Sequence, residues 1–80
     1  MSSHFPPLEL RDIEHGLTKL GFAKGPAKAG SHQKWSKVEN DRKWVVTVDA
    51  PKAPFSADLV TFMARQAGVS KLDFYQACGK

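Results

Sequence analysis

Residues 44–50 read WVVTVDA, and no other stretch narrows the fold as much. Its first five side chains are all β-branched or aromatic, types that are restricted in helices and pack well on a pleated surface. A strand needs a partner, and HQKWSKV (32–38) lies just upstream, joined by the polar loop ENDRK (39–43). Five polar residues suit a hairpin connection. Side-chain alternation then sorts the two strands into faces. On the first, Gln33, Trp35 and Lys37 share one face, with His32, Lys34 and Ser36 on the other. On the second, Trp44, Val46 and Val48 form the more apolar set, with Val45, Thr47 and Asp49 opposite. Trp35 is the large apolar group, so its face is assigned to the core. That parity excludes it as a base-stacking platform beside His32.

The rest of the chain supplies what covers that face. Residues 1–6 read as an irregular lead-in, and Pro7 suits a first helical position, where no amide hydrogen is needed. Leu10, Ile13, Leu17 and Leu20 then form one stripe of an amphipathic helix, with Gly21 as its stop and Phe22 folding back onto it. Gly16 weakens this helix but permits close packing. A first strand is expected over Phe22–Lys24, at an edge that tolerates Pro26. Ser56 is an N-cap for a helix over 57–67, and Gly68 stops it. Val60, Met63, Ala64 and Ala67 make its stripe, which Leu59 and Phe62 widen. Ser70 and Asp73 have capping-box spacing and open a short terminal helix within a 71–80 extension. Its Leu72, Phe74 and Tyr75 are expected to pack on the widened stripe. The predicted fold is one α+β domain over 1–80, α-β-β-β-α, with helices on one face of a three-stranded antiparallel sheet.

Composition narrows the function classes. Eighty residues hold one core. The net charge of +4 is concentrated: residues 24–52 carry six lysines and Arg42 against Glu39, Asp41 and Asp49. Such a patch raises the local concentration of a polyanion, although solubility alone also explains it. Cys78 is the one cysteine, so neither an internal disulfide nor a cysteine zinc cage is available. No run reaches the apolar length of a membrane span, and no basic-then-apolar leader opens the chain. The expectation is a cytoplasmic protein with no membrane partner. His4, His15 and His32 have no metal-ligand spacing, GPAKAG lacks the pattern of a phosphate loop, and no cofactor is implied.

His32 is the candidate for chemistry. A neutral imidazole accepts a proton near pH 7. If it takes one from a ribose 2′-hydroxyl, the alkoxide attacks the adjacent phosphorus and the strand is cut, a reaction that needs no metal. Lys34 on the same strand face and Lys28 on the preceding loop would hold the phosphate. Gly30 would let a backbone approach closely, and the Ser31 hydroxyl would donate a hydrogen bond to the RNA. The bland reading treats His32 as an exposed strand residue and His4 and His15 as solvated.

With G-S-H leading a strand inside an α-β-β-β-α order, the chain resembles the HicA family of toxins, also called YcfA-like. The matches are Leu20-Gly21-Phe22 at the end of the first helix, then Gly30-Ser31-His32 with Trp35. The hydrophobic strand WVVTV and the closing Ala67-Gly68-Val69-Ser70 complete them. The resemblance runs from about Leu10 to Tyr75. It implies a double-stranded-RNA-binding-domain fold and an mRNA interferase activity, the toxin half of a toxin–antitoxin pair. His32 would be the catalytic residue and Gly30 an accessory one. The implied partners are mRNA and a HicB-like antitoxin that covers the site.

The chain also departs from the family. Many members have a proline and a histidine after the third strand, where this one reads VDAPKAP, so the general acid is unassigned. Many also carry a histidine directly after the first, where Gln33 stands. The stripe with Leu59 and Phe62 is more apolar than usual, which fits equally the C-terminal extension or a binding surface for the antitoxin. The rival expectation is a non-catalytic domain that binds double-stranded RNA by shape and phosphate contacts, or a protein-interaction domain.

Overall fold

The computed structural model describes residues 5–26 and 32–80. Along the chain lie α1 (Leu10–Lys19), β1 (Ala23–Lys24), β2 (His32–Glu39), β3 (Arg42–Asp49), a 3₁₀ turn (Ala50–Lys52), α2 (Ala57–Ala67) and α3 (Lys71–Ala77). The strands form one antiparallel sheet in the order β1-β2-β3. This is the predicted α-β-β-β-α layout with a short helical extension.

Strand β1 starts at Ala23 and not at Phe22, which is buried in the core. Two larger differences from expectation have local reasons. Helix α1 begins at Leu10, behind Pro7, because Leu8 is held in a bridge with Phe55. The Leu8 N–H donates to the Phe55 carbonyl at 3.0 Å and the Phe55 N–H returns the bond at 2.7 Å. The expected five-residue hairpin loop contracts to the turn Asn40–Asp41. Both residues take left-handed backbone angles, φ 54° and 62°. Asn and Asp tolerate that region, and two such residues in a row match the twist of the flanking strands. Glu39 and Arg42 are therefore paired, and the register continues to His32 opposite Asp49.

One face of the sheet is closed. Trp35, Val46 and Val48 pack there with Ile13 and Leu17 of α1, Val60 and Met63 of α2, and Phe74 of α3. Gln33 ties this face to α1: the Trp35 indole N–H donates to its carbonyl at 3.1 Å, and its amide donates to Glu14 at 3.2 Å. Gln33 thus satisfies the indole N–H. Gly16 lies against Cys78, whose Sγ occupies the space a Cβ would need. Ser56 Oγ and Ser70 Oγ accept from the N–H groups of Leu59 and Asp73, as the cap signals predict. Gly68 ends α2 at φ 77°, with the Trp44 ring against it.

The widened stripe of α2 is covered by α3 only in part, and Leu72 does not pack on it as expected. Phe74 and Tyr75 are buried, but Leu72 is 56% exposed, and Phe62, at 61%, is not covered by α3. Helix α2 runs antiparallel along the β3 edge, with Gly68 beside Trp44 and the Gln66 carbonyl accepting from the Thr47 N–H at 3.2 Å. Phe62 is left at the rim of the other face of the sheet. Among the described residues, no helix is long and apolar enough to cross a membrane.

Candidate functional site

Among the described residues, no helix is laid across the second face of the sheet. Cross-strand pairing puts His32 with Asp49, Lys34 with Thr47, Ser36 with Val45, and Val38 with Lys43 on this side. His32 and Lys34 share it, as side-chain alternation predicts, and both are exposed. Val38 is 73% exposed, so this surface does not serve the core.

Asp49 is the functional candidate that sequence reasoning missed. Its Oδ2 lies 3.7 Å from His32 Nε2, and the two side chains are 30% and 64% exposed. The distance is longer than a hydrogen bond, and a small rotation of either side chain would close it. An exposed pair of this kind contributes at most about 1 kcal/mol, so its value lies in orienting the imidazole more than in stability. The signal that finds it is the turn. A two-residue Asn-Asp connection sets the hairpin register, and the register sets His32 against Asp49.

His32 and Asp49 open onto a cleft of about 250 Å³ between the sheet and α2. Thr47 lines it from β3, and Leu59, Phe62 and Gln66 line it from the helix. Lys52, from the 3₁₀ turn, borders the same cleft. Lys34 is not part of this cleft but follows His32 along the same face. Lys28, Gly30 and Ser31, the remaining predicted site residues, lie outside the described residues. His15 is on the exposed side of α1, away from this face. Among the described residues, no three His, Cys, Asp or Glu side chains gather as a metal-ligand group.

The perturbed titrations lie elsewhere. Burial pushes the Cys78 thiol up to about 11, with the Asp12 carboxylate adding to the effect and a backbone hydrogen bond at Gly16 and Lys80 opposing it. Burial also raises Tyr75, with Cys78 contributing less. The Tyr75 hydroxyl donates to the Pro6 carbonyl at 2.9 Å, tying the lead-in to α3. A protonated, buried thiol is a poor nucleophile. The cysteine belongs to packing.

Compared with protein-family models, curated proteins and solved structures, the chain matches none.

Proposed function

We propose that the protein is a metal-independent endoribonuclease of the toxin type, acting as the HicA resemblance implies. The observation that carries the reading is His32 itself: exposed on the uncovered sheet face, paired with Asp49, and opening onto a cleft flanked by Lys52. A histidine kept for packing would be on the Trp35 side.

In the proposed reaction His32 accepts the proton of a ribose 2′-hydroxyl. The 2′-oxygen bonds to the adjacent phosphorus, and the P–O5′ bond breaks with its electron pair going to the 5′-oxygen. That oxygen takes a proton from water, leaving a 2′,3′-cyclic phosphate and a 5′-hydroxyl. Asp49 is a positioning residue that holds the imidazole for this transfer. Lys34, with Lys28 from the preceding segment, balances charge on the non-bridging oxygens. Gly30 and Ser31 keep the accessory and RNA-contacting roles assigned from the motif. A HicB-like antitoxin would act by covering the same face, where Val38 and Val45 are exposed.

The 2′-hydroxyl is the group to remove. An mRNA fragment cut at one site is resynthesised with a single deoxyribose 5′ of the scissile phosphate. Cleavage at that position is expected to disappear, with neighbouring sites unaffected. Cleavage of the deoxy-substituted strand at an unchanged rate would rule out the mechanism.

A further inference from the structure

We infer that the cleft between β3 and α2 is a subsite for a single unpaired nucleobase, which stacks on Phe62 while the sugar–phosphate lies at His32. This rests on the proposed RNA-directed function and specifies how the substrate is presented. Phe62 is 61% exposed in the middle of a helix whose other large apolar side chains are mostly covered. An aromatic ring left open beside a candidate base catalyst offers a π-face, which any nucleobase can use.

The cleft has the dimensions and polarity for this occupant. At about 250 Å³ it falls below the range of roughly 300–1,000 Å³ typical of drug-sized ligand sites, and suits one planar ring system. Leu59 and Phe62 supply its apolar wall. Gln66 supplies a polar group in a fixed orientation. Its carbonyl accepts from the Thr47 N–H at 3.2 Å, so its NH₂, which has no partner among the described residues, remains a donor for a base carbonyl or ring nitrogen. Lys52 adds a cation suited to the phosphate that accompanies the base.

A protein partner fits this cleft less well. A stable protein interface covers about 800 Å² on each side, far more than one ring-sized cleft. Nor does the cleft suit a duplex, whose bases are stacked and out of reach unless flipped. The inferred substrate is therefore RNA that is single-stranded at the cut, with one base turned out.

The test uses the full chain and a short RNA made non-cleavable by 2′-deoxy substitution at the scissile nucleotide. Binding is followed through the Phe62 ring and Gln66 side-chain NH₂ resonances. Both are expected to shift, and Phe62→Ala is expected to weaken binding about tenfold or more, with Phe62→Tyr close to wild type. Replacing the bound nucleotide by an abasic one should cost the same factor. Equal affinity of Phe62→Ala, or an abasic strand binding as tightly as the intact one, would overturn the subsite. So would absence of any binding, or Phe62→Ala that loses only association with a protein partner. Base-dependent binding without cleavage of the all-ribose strand would leave the subsite standing and remove the ribonuclease reading. Cleavage indifferent to Phe62 would do the reverse.

Discussion

The chain carries two side chains that chemistry ordinarily exploits, His32 and Cys78, and places them in opposite surroundings. Cys78 is 5% exposed, pressed against Gly16, with its thiol pushed up to about 11. The His32 side chain is 64% exposed, faces a carboxylate and opens onto a cleft. The more nucleophilic atom is thus buried in packing, while the proton acceptor sits where a substrate can reach it. The difference divides the molecule into a side that supplies stability and a side available for chemistry.

Substitutions should respect that division. The largest stability change is expected on the closed side, where Gly16→Ala drives a methyl group into Cys78 Sγ. Overpacking of this kind costs roughly 1–3 kcal/mol, against which a better helix former returns about 1 kcal/mol. Chemical denaturation should show net destabilisation, and the penalty should shrink when Cys78→Ala is added. Strict additivity of the two substitutions would mean that they do not meet.

A smaller effect separates the regions by pH. Cys78 has a higher pKa in the folded chain than its ordinary value of 9.0, so its contribution is full below 9.0 and lost as pH rises towards about 11. Tyr75, also raised, acts in the same direction. The loss from Cys78 should reach about 1 kcal/mol by pH 10, and Cys78→Ala should flatten the slope to what Tyr75 contributes. Denaturation midpoints across that range check the slope.

The open side should show the converse. Asp49→Asn is expected to slow RNA cleavage about fivefold, matching the scale of an exposed ion pair, and to leave stability within about 0.5 kcal/mol. If Asp49 orients His32, kcat should fall with KM unchanged. Unchanged kcat with lowered stability would make the pair a structural tie across the hairpin.

What could be read from the sequence follows the range of the interactions. Helix stripes, the caps at Ser56 and Ser70, the stop at Gly68 and the strand faces depend on neighbours a few residues apart, and they were legible. The pairing of His32 with Asp49 depends on register, which the polar loop 39–43 concealed until Asn40–Asp41 was recognised as a left-handed turn. The Leu59 and Phe62 stripe could be read either as packing for the C-terminal extension or as a binding surface, and the sequence does not choose between them. The exposure of Phe62 follows from where α2 lies along the β3 edge, and no local pattern records that. Nothing local to Gln33 marks it as the acceptor of the Trp35 indole N–H, which only the fold shows.

The most direct measurement is single-turnover cleavage of one RNA by wild type and His32→Ala at matched folded concentration, with chelator present. If His32 is the general base, His32→Ala is slower by about 100-fold or more, the scale of that lost group, with unfolding unchanged within about 0.5 kcal/mol. Equal cleavage by the two proteins would contradict that role.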